Sequence, residues 1–372
     1  MNFKTTALFA ALILCASPVC ILKVDARERT LKTKSKKDPQ DPCMKVTLTG
    51  TMGGPGIFDG LAGPGTLVTF GTEGNGCSDV RLQFDIGRGT TLRLSQLGLQ
   101  PTDDIDAIFL THIHSDHVDD LSNFMQYKWH FFGPPIDIVC SEDTIVATIA
   151  GSRTMSCTNL AANVDAAFKA SGEIDQRLAE NSNRNAGGPS ALANVTTFAL
   201  IEEAATVWET STDSGDITVE AIRVNHVGGS AAYRVNTPAG IVVISGDAAS
   251  DESVDTRPYS TSDNVAKIAS GADLIVHAAV HPAMRPGDGS GFPPAFYVRQ
   301  STAPDIGAMA ERAGVPNVML NHLIPSIKNP VHVKWTVPGG PLSAKDYEDA
   351  VMSGGYTGKV HVGGDLTSIK LP

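Results

Sequence analysis

The chain has few cysteines, no run of basic residues within its body, and no long apolar stretch beyond its first nineteen positions. Each absence excludes something. Without about 20 consecutive apolar residues the folded body is not expected to span a membrane. With a formal charge of −11 over 372 residues and no basic run in the body, the chain is a poor candidate for binding a phosphate backbone. No self-similarity of solenoid period is visible, which argues against a repeat architecture. What remains is ordinary globular composition, 42% hydrophobic and 19% charged, with enough length for a full hydrophobic core.

The first residues read as a targeting segment. A short positive start, Met1 to Thr6, leads into an apolar run from Ala7 to Val19, and Val24-Asp25-Ala26 offers a small-residue cleavage site. Residues 1–26 are therefore expected to be a secretory signal peptide, with an uncleaved anchor as the rival. The mature protein would be periplasmic or secreted, with no stable membrane insertion after cleavage. Residues 27–42, which include Arg27, Arg29, Lys32, Lys34, Lys36 and Lys37, read as a flexible basic arm, and residues 43–372 as one domain. Cys15 and Cys20 leave with the signal, so Cys43, Cys77, Cys140 and Cys157 remain, an even number for an oxidising compartment. Three pairings are open. Proximity favours Cys43–Cys77 with Cys140–Cys157, and four buried free thiols are the other reading.

The most informative stretch runs from Phe109 to Leu121 and holds His112, His114, Asp116 and His117. Ile108 to Leu110 read as a buried strand, and alternate residues of a strand share a face, so His112 and His114 can point the same way. Ser115-Asp116 marks a turn or helix start, and Val118 to Trp129 has helical spacing. That turn brings Asp116 and His117 to the same pocket. Histidine with aspartate is the donor mix expected of zinc, with manganese or iron as alternatives. A lone histidine is more often structural; four such residues in six positions are not.

Around this stretch the pattern alternates. Strands are expected from Met44, over Gly65–Phe70 and Val80–Phe84, with Asp85 in a following glycine turn that supports the site. The glycine-rich turn after Leu48 is by itself weak evidence for a phosphate cradle. Asp143–Ala150 looks helical, and residues 158–194 read as a helical insertion with a helix near Asp165–Ala179. The aromatic cluster Tyr127–Pro135 is either packing at a helix end or a wall of the cleft. In the second half, strands end at His226, Asp247, His277 and His322, and Thr302–Ala313 reads as a helix. Strands alternating with helices, with ligands at strand ends, describe an α/β fold of two mixed sheets packed face to face and covered by helices.

His112-Ile-His-Ser-Asp-His117 resembles the H-x-H-x-D-H signature of the metallo-β-lactamase superfamily, whose fold is an αββα sandwich. His226 with Ser230, Tyr233 and Arg234, then Ser245-Gly246-Asp247, then Asn321-His322, resemble the words of its ribonuclease Z and zinc arylsulfatase branch. The resemblance implies two Zn2+ ions: His112, His114 and His226 on one, Asp116, His117 and His322 on the other, and Asp247 bridging. It also implies an ionised water as nucleophile, with Asp116 steering its proton. Departures bear on the substrate. Where the tRNA-processing members carry H-E-A-T and H-S-T, this chain reads His277-Ala-Ala-Val280 and Gln300-Ser-Thr302, and it has no basic clamping arm. His277 and His281 are left as candidates for a proton donor. The expectation is a secreted dinuclear zinc hydrolase of sulfate or phosphate esters, acting on a small molecule and not on nucleic acid, with a homodimer as an open option. The alternatives are a lactonase or β-lactamase-type hydrolase, and a non-catalytic metal-binding protein on the same fold.

Overall fold

Long apolar strands that must bury both faces dictate a layered arrangement, and the computed structural model adopts one; it describes residues 38–148, 150–251 and 258–371. The segment expected to be a signal peptide and most of the expected basic arm lie outside the described residues. The last residues assigned to that arm belong instead to the fold: Asp38 and Asp41 form a turn, and β1 begins at Pro42.

The first half contributes β1 (Pro42–Gly50), β2 (Gly65–Thr72), β3 (Val80–Phe84), β4 (Ala107–Phe109) and β5 (Ile136–Ser141). A hairpin of β6 (Thr144–Thr148) and β7 (Gly151–Met155) follows, then β8 (Ala193–Phe198). The second half adds β9 (Ala205–Thr212), β10 (Gly215–Arg223), β11 (Ala231–Thr237), β12 (Gly240–Ile244), β13 (Leu274–Val280) and β14 (Asn317–Ile324). Two short strands, β15 (Val331–His332) and β16 (Trp335–Thr336), precede β17 (Lys359–His361) and β18 (Ser368–Leu371).

Two seven-stranded sheets result, ordered β18-β1-β2-β3-β4-β5-β8 and β17-β14-β13-β12-β11-β10-β9. Each is mixed: β3, β4, β5 and β8 run parallel, as do β12, β13, β14 and β17, while the neighbours toward the other edge are antiparallel. Phe84, Phe109, Tyr233, Val276 and Met319 fill the space between the sheets. Leu94, Phe124 and Trp129 pack helices on the outer face of the first sheet, and Val265, Ile306 and Tyr347 on the second. Each such buried side chain contributes about 1.5–3 kcal/mol relative to exposure. This is the sandwich of two mixed sheets covered by helices that the sequence implied.

The four cysteines form two disulfides, Cys43–Cys77 and Cys140–Cys157. Among the described residues no helix is long and apolar enough to cross a membrane. One helix expectation fails. Thr144–Thr148 is a strand of the β6–β7 pair, because the β-branched Thr144, Ile145, Val146 and Thr148 lie in a segment that pairs antiparallel with Gly151–Met155. Residues 158–194 carry helices at Cys157–Ala162, Ala166–Ala170 and Glu173–Glu180, the last two separated by Gly172 in a left-handed conformation.

Candidate metal centre

Strand β4 is buried at all three positions and lies between β3 and β5, so its C-terminal end opens on one rim of the first sheet. Tyr233 on β11 crosses from the opposite sheet and donates its hydroxyl to the Leu110 carbonyl at 2.8 Å, pinning the chain just before the histidines. Thr111 then donates its N–H and hydroxyl to the two oxygens of Asp85, each at 2.8 Å. The same carboxylate meets His117 Nδ1 at 2.8 Å. Asp85 therefore fixes the ring that presents Nε2 inward, the supporting role expected of it. Its backbone is left-handed at φ 54°, a costly conformation that the three hydrogen bonds hold in place.

The second sheet delivers its residues singly. Ser230 closes the turn after His226 by donating to the Val227 carbonyl, and His226 Nδ1 bonds to the Arg299 carbonyl at 2.9 Å. Gly246 precedes Asp247 at φ 57°, and a Cβ there would lie 2.5 Å from Thr111. Only glycine fits. Asn321 accepts the His322 N–H at 2.7 Å and donates to Thr66 on the other sheet. His322 itself is left-handed, at φ 44°, where the β13–β14 register shifts.

These elements bring together all seven residues proposed as ligands. Three overlapping groups have donor atoms within 4.8 Å of one another: His112 with His114 and His226; His112 with His117 and Asp247; Asp116 with His117 and His322. Asp247 sits between the outer groups, Oδ1 3.5 Å from His117 Nε2 and Oδ2 3.5 Å from His226 Nε2 and 3.3 Å from His322 Nε2. Burial leaves His112 Nε2, His117 Nε2 and Asp247 Oδ1 with no hydrogen-bond partner. Buried polar atoms without partners are costly, and here they face one another. The donor set fits a transition metal of zinc type.

Electrostatics agree. Burial, then the neighbouring His226, lowers His114 to about 4, and burial with His117 and His226 takes His112 well below its ordinary value. Burial opposes ionisation of Asp116, but His117 and His322 outweigh it and bring the carboxyl down to about 2. Asp247 is likewise held well below the carboxylate range by His322, His117 and His226 against the cost of burial. Neutral imidazoles and ionised carboxylates are the forms that ligate. His117 goes the other way: burial disfavours its charge, yet Asp85, Asp116 and Asp247 raise it well above normal.

A cavity of about 260 Å³ opens over these residues. His114, Asp116, His226, Asp247 and His322 line one side; Phe292, Phe296, Arg299, His332, Val333 and Trp335 line the other. His277 and His281 do not line it, contrary to the role set out for them. His277 is buried on β13 with Nδ1 against the Ala278 carbonyl at 2.7 Å. His281 turns away to accept the Ala283 N–H at 3.1 Å and to pack on Tyr347. The aromatic cluster Tyr127–Pro135 is also elsewhere, with Trp129 buried against Asn185.

Three features went unread. Gln300 donates Nε2 to Asp247 Oδ2 at 2.8 Å from inside the pocket. The Gly54 N–H points at His322 Nε2 at 3.1 Å, and a Cβ on Gly53 would lie 2.8 Å from the same ring, so the glycine-rich turn is part of the site. The aromatic wall was invisible as a group, although His332 among Val331 to Trp335 was a signal of sorts.

The fold is the metallo-β-lactamase fold, and the centre is a His/Asp cluster whose residues could hold metal. In sequence the chain is similar to ribonuclease Z proteins. No family model matches it. It is 24% identical over 340 residues to ribonuclease Z of Mycobacterium bovis (strain BCG / Pasteur 1173P2), a match covering 88% of this chain and 98% of that protein. Among solved structures, the metallo-β-lactamase fold protein YhfI of Bacillus subtilis matches with a TM-score of 0.54 at 18% identity, over 89% of this chain and 99% of that one. Human short-form tRNase Z matches with a TM-score of 0.51 at 17% identity, over 88% and 99%. One expectation is overturned. Two of these proteins are named for RNA, so an acidic body without a basic run does not exclude nucleic acid, and the assignment of a small-molecule ester to the exclusion of nucleic acid is withdrawn. Net charge sums the whole surface, whereas recognition depends on the few groups around one cleft.

Proposed function

We propose that this chain is a metal-dependent hydrolase of phosphodiester and related ester bonds, working at a dinuclear centre. The observation that carries the reading is the convergence of seven potential ligands in three overlapping groups, several with unpartnered buried atoms, five of which line a single cavity. His112, His114 and His226 would hold one Zn2+; Asp116, His117 and His322 the other; Asp247 would serve both. When bound, such ions lower the pKa of water toward about 7 and offset negative charge on phosphoryl oxygens.

The chain's own groups do the rest. Water adds its oxygen to phosphorus, the P–O bond to the departing group breaks, and one proton from water ends on the departing oxygen. Asp116, ionised and facing the cavity, is placed to orient that water by accepting a hydrogen bond from it. Gln300 fixes Asp247 in position, and the glycine-rich turn packs against the His322 ring. Asp85 and Thr111 keep the histidine-rich turn rigid, which preserves the orientation the reaction needs.

The test is a substrate panel with and without chelator: a bis-aryl phosphate, an RNA, an aryl sulfate, a lactone and a β-lactam. Phosphodiester turnover should vanish on chelation and return with zinc, at two metal ions per chain by elemental analysis. Turnover indifferent to chelator, or full metal content with no hydrolysis across the panel, overturns the reading. Export to an oxidising compartment belongs to the same proposal and is supported by the two disulfides. N-terminal mass analysis of the protein made by its host should find the first 26 residues removed.

A further inference from the structure

The side of the cavity opposite the metal ligands has its own chemistry. Phe292, Phe296 and Trp335 meet edge to face, with ring centroids 5.1 to 6.2 Å apart. His332 is nearly parallel to Trp335 at 6.3 Å. Phe292 and His332 are buried, whereas Phe296 is 47% exposed toward the opening. A large aromatic left that open beside a cavity is a surface waiting for a partner ring. The strand pair carrying His332 and Trp335 turns through Val333, a β-branched residue at φ 58° whose side chain lines the cavity. Such a residue is a genuine outlier in the left-handed region, and backbone outliers of this kind cluster at ligand-binding sites. Gly56 packs closely on Val333, so the glycine-rich turn links the hairpin to the metal side of the cavity. Among the described residues Arg299, exposed at the same opening, places its guanidinium in no hydrogen bond or ion pair, although its carbonyl holds His226.

We propose that this wall is a ring-binding subsite: the ester cleaved at the metal side carries a planar aromatic group that stacks on Trp335 and Phe296, with Arg299 meeting an anionic oxygen at the rim. The proposal rests on the phosphodiester reading and adds the substrate's shape to it. A cavity of about 260 Å³ holds one ring system beside a phosphoryl group. Binding sites for larger ligands typically reach about 300–1,000 Å³. The shared chemistry is a ring next to a phosphoryl oxygen, and either an aryl ester or a nucleobase supplies it.

The experiment is calorimetric titration of the zinc-loaded protein with inorganic phosphate, phenyl phosphate and adenosine 5′-phosphate, alongside turnover of a bis-aryl phosphate and an RNA. Stacking on an aromatic side chain should make both ring-bearing ligands bind about tenfold or more tightly than inorganic phosphate. They should also quench tryptophan fluorescence. Trp335→Ala and Phe296→Ala should each shrink that gap while leaving inorganic phosphate affinity unchanged; Phe296→Ala, at an exposed position, guards against loss of folding. A larger gap for adenosine 5′-phosphate assigns the subsite to a nucleobase, and a larger gap for phenyl phosphate assigns it to an aryl ester. Equal affinity for all three ligands, or a gap that survives both substitutions, overturns the proposal. Metal-dependent turnover without the gap sinks the subsite alone, and the gap without turnover sinks the hydrolase reading alone.

Discussion

The two walls of the cavity are built to different standards. The wall of candidate metal ligands hangs from the ends of β4, β12 and β14, all interior strands of the two sheets, and its residues are tied by Asp85, Thr111, Tyr233 and Asn321 to a core that is almost wholly buried. The aromatic wall hangs from the four-residue helix Pro294–Tyr297 and from two strands of two residues each. Short elements with few buried contacts open at lower free energy than central strands. The proposed reaction therefore sits on the more firmly held elements, and the proposed ring subsite on the less firmly held ones. A hydrolase on this plan can keep one reaction while its preference changes through a few peripheral residues.

Removing a ligand from the stiff wall is the harshest way to break that contrast. Asp247→Ala should lower kcat/KM on the order of 10³-fold or more, since it takes away the carboxylate between both ligand groups and several kcal/mol of charge stabilisation with it. Metal content by elemental analysis should fall in parallel. A single peripheral histidine, His114→Ala, should cost less. If Asp247→Ala kept both metal and turnover, the wall would not be the reacting one. Asp85→Asn is gentler: it keeps the shape but weakens the hold on His117, and supporting groups of this kind are worth about 10–100-fold in metal affinity or activity. Preference among ring-bearing ligands should not move with it, because nothing on the aromatic side touches Asp85.

The same division decides what the sequence could reveal. The run from His112 to His117 was legible because four residues able to ligate metal crowd into six positions at the end of an apolar strand. His226, Asp247 and His322 were legible only through the words around them, each of which has a physical basis in the structure. Ser230 closes a turn, Tyr233 ties the sheets, Gly246 clears Thr111, and Asn321 caps His322. The two sheets followed from strands buried on both faces. The hairpin Thr144–Met155 was missed because apolar spacing over a few residues does not separate helix from strand, and its β-branched content was the better guide. The aromatic wall had no period to find. Phe292, Phe296 and Trp335 lie in short segments, well separated in sequence, that meet only in the folded structure, while the dense cluster after Tyr127 drew attention to residues that do not line the cavity.

The mildest test compares two histidines that burial affects alike. His277, on β13 behind the metal wall, and His332, on the aromatic wall, are both lowered to about 4 by burial, from an ordinary 6.5. The sign follows from proton uptake. Below pH 6.5 the unfolded chain binds a proton at each ring that the folded chain refuses until pH approaches 4, so stability is full above 6.5 and falls as the pH drops through that window. Between pH 7 and pH 5.5 each ring should cost about 1 kcal/mol of unfolding free energy. His277→Gln should remove its share of that slope in urea melts of zinc-loaded protein. His332→Gln should remove less, because a wall built from short elements opens locally and lets His332 protonate without global unfolding. Imidazole NMR titration of the native protein gives the same comparison directly, with His332 exchanging faster and titrating higher than His277. Equal slopes and equal titrations would mean that the aromatic wall is as stiff as the metal one, and that selectivity is carried by the same rigid frame as the reaction.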